Sequence, residues 1–325
     1  MKKVLIITLT ILLIVLIGSG AYIYNMLNQI QENPVVNPDT GEPVKDRKEL
    51  GINDNAPVTK DTGIKNILLL GIDSRTKDEP ARSDSIMIAS IDKKNSTVKI
   101  TSLMRDMYVP IPGKKDNRIN TAYIFGGPSL SIKTINTNFN MDIEDYVEVD
   151  FFSLETIINE VGGVPIEIKK TEVKVINQYI DNLNDISTDG TKTPRVTTSG
   201  IQTLTGRQAV AYCRIRFVGR DDFERTERQR RVLNELFKKG KSIGLSNIPN
   251  LVAKILPDVQ TSLSKTEIIE LGIAMLGFST ENLEQSRIPA DDSYSDEWVG
   301  DMLVLKPDLE KNTELLHDFI YGTTE

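Results

Sequence analysis

Charge is absent from one long stretch at the start of the chain. Val4–Tyr24, "VLIITLTILLIVLIGSGAYIY", runs twenty-one residues without an acid or a base. A helix that crosses the hydrocarbon core needs ~20 apolar residues, so the run predicts one transmembrane helix over 4–24. Lys2 and Lys3 precede it, whereas Glu32, Asp39 and Glu42 follow. That asymmetry leaves residues 1–3 in the cytoplasm and the rest of the chain outside. The small residues of "GSGA" also suit a cleaved signal peptide, but the length of the run favours a retained anchor. From 25 to 63 the apolar pattern fades. Its main part, "QIQENPVVNPDTGEPVKDRKELGINDNAPVTKDTG", has no aromatic residue and is rich in Pro, Asn and Asp, and it reads as an extracytoplasmic linker.

Alternating strand and helix patterns begin at residue 64 and continue to 325. "NILLLGI" is a short continuous apolar run, as in a strand buried on both faces, and it stops at Asp73-Ser74-Arg75. "DSIMIASID" and "TVKITSL" predict two more strands around the polar turn "KKNS". "PSLSIKTINTNF" predicts a helix, "YVEVD" a strand, "FFSLETIINEVGG" a helix with a glycine stop, and "VPIEI" a strand. Asn182–Ser199 reads as a long loop. "LTGRQAVAYCRIR" and "DDFERTERQRRVLNELFKKG" follow as helical segments, with further helices expected over Asn247–Ile255, Lys265–Leu276 and Pro307 to about Ile320. Strands interleaved with helices predict an α/β domain with a mixed, helix-covered sheet.

Composition narrows the chemistry by elimination. The 325 residues carry a net charge of −7, which argues against a nucleic-acid partner. One cysteine, Cys213, excludes an internal disulfide and a cysteine-based zinc site. The sole histidine, His317 in "LLHDFIYG", reads as part of a terminal helix. A Ser–His–Asp machine or a multi-histidine metal site therefore has almost nothing to work with. No phosphate-binding loop, dinucleotide fingerprint or hydrolase elbow occurs in the sequence.

Within this acidic chain, "RIRFVGRDDFERTERQRR" at 214–231 gathers seven arginines in eighteen positions. At 100° per residue, Asp222, Arg225, Gln229, Val232, Leu233 and Leu236 fall within about 140° of one helix side. Arg225 and Gln229 thus share a stripe with residues that must pack inward, and a guanidinium there is costly unless an anion meets it. An internal carboxylate such as Asp222 is one possible partner, and a bound phosphate is another. Arg228 lies at the edge of the stripe, while Arg230 and Arg231 read as solvated surface charge. Arg214 and Arg216, two apart in an extended segment, would point the same way and could grip one group. Arginine's planar fork suits phosphate oxygens. Asp73 ends the first strand and Asp84 opens the second, so both are expected at one edge of the sheet. Two carboxylates beside phosphate-binding arginines suit Mg²⁺ (or Mn²⁺). Local readings compete, with Asp73 capping a turn and Asp84 pairing with Arg75 or Arg82. Arg105, in "TSLMRDMYVPIPG", also follows a strand end.

Taken in order behind one membrane helix, "NILLLGIDSR", "RSDSIMIASID", "SLMRDMYVPIPG", "RINTAYIFGG", "DFFSLETIINEVGGV", "LTGRQAVAYCRIR" and "DDFERTERQRRVL" resemble the LytR–CpsA–Psr family. The resemblance implies a three-layer αβα sandwich anchored outside the membrane, and an extracytoplasmic domain with one cysteine and no disulfide suggests a Gram-positive type envelope. It implies transfer of a teichoic acid, capsular or other glycopolymer from a polyprenyl-pyrophosphate carrier to a peptidoglycan sugar hydroxyl. Residue by residue, it implies Mg²⁺ at Asp73 and Asp84. It puts the pyrophosphate on Arg105, Arg214, Arg216 and Arg225, with Gln229 alongside and Arg75, Arg82 and Arg118 as secondary candidates. Asp222, or a metal ligand, is the expected acceptor of the attacking hydroxyl's proton. Family members often have Gly-Asp at Asp221-Asp222 and histidine at Thr121, so loop geometry at the first and any role for the second do not carry over. A polyprenyl-pyrophosphate hydrolase and a non-catalytic wall-polymer binder or regulator are the alternatives.

Overall fold

The computed structural model describes residues 33–37, 39–44, 46–73, 82–187, 190–216, 218–219, 222–243, 251, 254–255, 259–278 and 283–322. The run at 4–24, Arg75 and most of the helix expected at 247–255 lie outside them. Among the described residues no helix is long and apolar enough to cross a membrane.

Twelve strands are described: β1 (Ile64–Asp73), β2 (Arg82–Asp92), β3 (Thr97–Leu103), β4 (Tyr108–Val109), β5 (Asn117–Arg118), β6 (Asp145–Asp150), β7 (Val164–Ile168), β8 (Gly200–Leu204), β9 (Gln260–Thr261), β10 (Glu284–Ile288), β11 (Tyr294–Val299) and β12 (Met302–Pro307). Between them run α1 (Thr121–Phe139), α2 (Phe151–Glu160), α3 (Val173–Ile186), α4 (Gly206–Cys213), α5 (Asp222–Ser242), α6 (Lys265–Leu276) and α7 (Leu309–Tyr321). The central sheet has the order β10-β3-β2-β1-β6-β9. It is mixed, since β1 runs parallel to β6 and β10 to β3, while β2 is antiparallel to both of its neighbours.

The unbroken apolar run in β1 has a simple cause: both faces of the sheet are covered. Leu68, Leu70 and Ile72 point to one face and pack with Ile132, Ile135 and Phe139 of α1 and Leu316 and Ile320 of α7. Ile67 and Leu69 point to the other, where Phe237 of α5 and Leu271 of α6 close over them. Three layers result. A separate apolar cluster joins α2, α3 and α4 to the antiparallel β7–β8 pair and touches α5 through Val232. The predicted strand "VPIEI" thus exists as β7, but it pairs with β8 outside the central sheet.

Three local expectations need correction. The linker over 25–63 is not free over its described part. Val35, Leu50, Ile52 and Ala56 are buried in the main core, and Asn136 of α1 donates to the Leu50 carbonyl at 2.9 Å. A few widely spaced apolar residues suffice for this docking, too few to register as a pattern. The loop at 182–199 is shorter than expected, because α3 continues to Ile186 before Asn184 fixes the turn through Thr193. The helix expected at 128–139 begins seven residues earlier at Thr121, with a break where Gly126 and Gly127 leave helical geometry.

Candidate active site

A cavity of about 800 Å³ lies between the sheet and α5. Its floor is the Ile67–Leu69 side of β1 with Met87 and Ala89 of β2, and its roof is Val232, Leu233 and Leu236 of α5. Leu154 and Ile157 of α2 and Met275 of α6 complete the walls. Cavities of this size normally hold most of a ligand's surface, and this one is apolar almost throughout. At the mouth its lining changes to Asp73, Asp84, Arg214, Arg216, Arg225 and Gln229.

The C-terminal end of β1 and the start of β2 supply the carboxylates, with Asp73 opposite Arg82 in the register. The Asp84 carboxylate accepts from Arg105 Nη1 at 2.6 Å and Arg216 Nη2 at 3.3 Å, and Arg225 Nη1 lies 3.6 Å away. Arg105 comes from the turn after β3 and Arg225 from the first turn of α5. Asp222 opens that helix, where the macrodipole favours an acid. It lies 2.9 Å from Arg225 Nη2 and 3.4 Å from Arg105 Nε. Each carboxylate therefore bridges guanidiniums, and the mouth is a compact lattice of alternating charge. Of the two partners expected for Arg225, the internal carboxylate is present as Asp222, and the side chain also lines the cavity. Arg82 is not among the described partners of Asp84, which are Arg105, Arg216 and Arg225, and Arg75 lies outside the described residues.

Burial alone would raise the Asp84 carboxyl, but Arg105, Arg225 and Arg216 hold it below the ordinary range. Arg225 is pulled the other way. Burial lowers it, Asp222 and Asp84 resist, and the neighbouring Arg105 and Arg216 add to the lowering. It stays charged, because arginine starts so high. Arg225 Nε is buried without a hydrogen-bond partner among the described residues, and Arg105 Nε faces Asp222 and Asp106 at 3.4 and 3.6 Å without forming a hydrogen bond to either. Such donors cost about 1–3 kcal/mol each until an acceptor arrives. The mouth is therefore built to receive more oxygen than the protein itself provides.

Arg214 is placed differently from the expected extended pair. It caps the end of α4 with helical dihedrals, so it and Arg216 do not share a strand face. Its guanidinium stacks over Phe151 and Tyr179, 4.6 and 5.4 Å from the ring centroids, and Nη1 donates to Asn182 at 3.1 Å. That stacking still aims it at the cavity mouth. Arg82 is exposed at the start of β2 and outside the cavity lining. Arg118 also lies outside it: its Nε faces Asp106 at 3.3 Å, and Nη2 donates to the Leu303 carbonyl at 2.7 Å. It ties β12 to the turn that carries Arg105. Asp106, which sequence reading passed over, braces both Arg105 and Arg118.

Two arginines in this region are structural. Arg228 is buried with Glu172, its Nε donating at 2.8 Å, and its other nitrogens reach Glu224 and the carbonyls of Ile215 and Val218. Arg207 is held by Glu155, Asn184, Ser187 and the Thr191 carbonyl. Cys213 is buried, and burial pushes its thiol up to about 12, which makes it inert. His317 contacts the Phe139 carbonyl at 2.9 Å on α7, away from the cavity. Among the described residues no group of three or more His, Cys, Asp or Glu could cage a metal. Two carboxylates at one mouth nevertheless fit Mg²⁺, which takes one or two protein carboxylates and leaves other positions to phosphate and water.

Fold and site define an α/β domain with an arginine- and aspartate-lined mouth on an apolar cavity. The chain belongs to the LytR_cpsA_psr family, whose model matches residues 25–318. It is 32% identical over 293 residues to the polyisoprenyl-teichoic acid–peptidoglycan teichoic acid transferase TagU of Bacillus mycoides (strain KBAB4), covering 89% of this chain and 88% of the relative. Two solved structures are similar to it. TagT bound to LIIa-WTA gives a TM-score of 0.62 at 26% identity over 80% of this chain and 91% of that one. YwtF (TagT) with bound octaprenyl pyrophosphate lipid gives 0.59 at 25% identity, with the same two coverages of 80% and 91%.

Proposed function

We propose that this protein transfers an anionic glycopolymer, of the teichoic acid kind, from a polyprenyl-pyrophosphate carrier to a peptidoglycan sugar hydroxyl. The observation that carries the reading is the junction of an apolar cavity with a mouth of arginines, of which Arg105 and Arg225 each keep a buried Nε–H without a hydrogen bond among the described residues. A polyprenyl pyrophosphate has that same division, an apolar chain ending in a dense negative charge. The relative that acts on teichoic acid and the similar structure that holds octaprenyl pyrophosphate support it. The apolar run at 4–24 would anchor the domain outside the membrane, where such lipids present their headgroups.

In the reaction, the acceptor hydroxyl attacks the phosphorus on the polymer side of the pyrophosphate. A new phosphodiester forms, the bridging P–O bond breaks, and polyprenyl monophosphate leaves; the hydroxyl proton passes to a base or to solvent. Such transfer depends on positioning and charge neutralisation. Arg105, Arg216 and Arg225 meet the charge that spreads over the pyrophosphate oxygens, with Arg214 and Gln229 at the rim. Asp222 holds Arg105 and Arg225 in aim. Asp73 and Asp84 would hold Mg²⁺ (or Mn²⁺), which when bound neutralises phosphate charge.

Reconstituted full-length protein, given a short polyprenyl-pyrophosphate glycan and peptidoglycan oligomers, tests the reading. A phosphodiester-linked product that needs Mg²⁺, and falls on the order of 10²-fold in Arg225→Ala, is the expected result. Phosphate release without a linked product makes the protein a hydrolase. Tight lipid binding with no product for several polymers makes it a binder.

A further inference from the structure

Positive charge also collects on the flank of α5 that turns away from the cavity. Phe223 and Arg230 are seven residues apart and lie within ~20° of each other around the helix. The Arg287 guanidinium of β10 sits over the Phe223 ring, 4.5 Å from its centroid. Gln285, two residues earlier and on the same strand face, donates to the Arg230 carbonyl at 3.5 Å. The edge strand and the helix thus wall a seam that holds both guanidiniums. Arg230, expected on the solvated surface, is half-buried there.

Arg230 Nε and Nη1 and Arg287 Nη1 are all buried without a hydrogen-bond partner among the described residues. Arg287 gives Nη2 to Asp291 at 2.8 Å, on a side chain 67% exposed. Glu227 is engaged by Arg231. Burial lowers the Arg230 pKa, Glu227 only partly resists, and Arg287 and Arg231 add to the lowering. Arg228 on the same helix shows the contrast: every one of its nitrogens has an acceptor. Three buried donors on two like charges form a cost that one bridging oxyanion removes.

Resting on the transfer reading, we infer that Arg230 and Arg287 form a second anion subsite, which takes a phosphodiester of the repeating donor polymer. Two planar forks suit the paired oxygens of a phosphodiester. The seam lies at the open edge of the sheet and outside the cavity lining, so a polymer, and not the buried lipid, reaches it. Arg230 is five residues from Arg225, roughly 7.5 Å along the helix axis. A polymer whose first phosphorus sits at Arg225 brings later phosphates around this flank.

Calorimetry on full-length protein in detergent tests the subsite with three probes: a glycerol-phosphate hexamer, a muramyl pentapeptide carrying only carboxylates, and octaprenyl pyrophosphate. Arg230→Gln and Arg287→Gln are each expected to weaken the hexamer about tenfold and leave octaprenyl pyrophosphate within about twofold. Arg230→Lys keeps the charge without the fork; it is expected to weaken the hexamer about threefold, and it decides the matter if a Gln variant fails to fold. Hexamer binding unchanged in the double Gln variant, with octaprenyl pyrophosphate still bound, overturns the subsite and leaves the transfer reading intact. Loss of the muramyl pentapeptide alone overturns the assignment to the donor polymer. Failure of wild type to bind octaprenyl pyrophosphate overturns the transfer reading itself.

Discussion

Replacing Asp84 by asparagine separates the two things that carboxylate does. It neutralises three guanidiniums at 2.6, 3.3 and 3.6 Å, and it is one of two proposed metal ligands. At an effective dielectric near 20, a unit-charge pair at such distances attracts by roughly 5–6 kcal/mol, partly cancelled by desolvation. Removing one partner of a buried pair typically costs about 3–5 kcal/mol. Here Asp84 is 16% exposed, and Asp222 still faces Arg105 and Arg225, so a loss of about 2–3 kcal/mol is expected. In a domain of this size that lowers Tm by roughly 5–10 °C. The pH dependence has a definite sign. The Asp84 pKa is depressed in the folded state, so its contribution is complete above the unfolded value of ~3.9 and is lost as pH falls through the folded value. Wild type and Asp84→Asn should therefore differ by a constant amount from about pH 5 to 8 and converge in acid. The same change leaves the mouth more positive. Inorganic pyrophosphate should bind about tenfold more tightly in EDTA, while any stabilisation by Mg²⁺ disappears and transfer stops. Thermal melts across pH, with calorimetry on pyrophosphate, read all of this. Coincident melts at pH 7 would refute the charge lattice, and weaker pyrophosphate binding would refute its electrostatic account.

Ala89 on the cavity floor gives a test of the lipid chamber: Ala89→Phe should cut octaprenyl pyrophosphate affinity at least tenfold and leave inorganic pyrophosphate affinity unchanged. Equal binding of the lipid would place it elsewhere. Arg228→Ala strands the fully buried Glu172 and should cost about 3–5 kcal/mol in chemical denaturation, whereas Arg228→Met with Glu172→Met should recover most of it. Glu148 is a buried carboxylate whose pKa burial raises; the Tyr123 hydrogen bond opposes the rise, Asp150 adds to it, and Oε2 is unpartnered. A raised acid loses stability as pH climbs from its unfolded value of ~4.3 through its folded one. Glu148→Gln should thus raise Tm at pH 8 and leave it unchanged near pH 4.

Legibility in the sequence followed the range of the physics involved. The β1 run, the β2–β3 hairpin and α5 were readable because a period of two or 3.6 is a local property. The same period put Arg225, Gln229, Val232, Leu233 and Leu236 on one stripe, and the structure sets all five on the cavity. Docking of Val35 and Leu50 was not readable, because it depends on a surface more than 80 residues further along the chain. The roles of Arg228 and Arg230 were missed for a related reason. Both are arginines on one helix, two positions apart, and their helical angles do not say which has an acceptor. Glu172 answers Arg228 from 56 positions earlier in the chain, and no carboxylate among the described residues does the same for Arg230 Nε and Nη1. A buried guanidinium whose acceptors are all internal holds the fold together. A donor sealed from water with no internal acceptor, as Arg225 Nε and Arg230 Nε are among the described residues, is left able to take an anion, which is the ground for the roles proposed for Arg225 and Arg230, while Arg228 and Arg207 belong to stability.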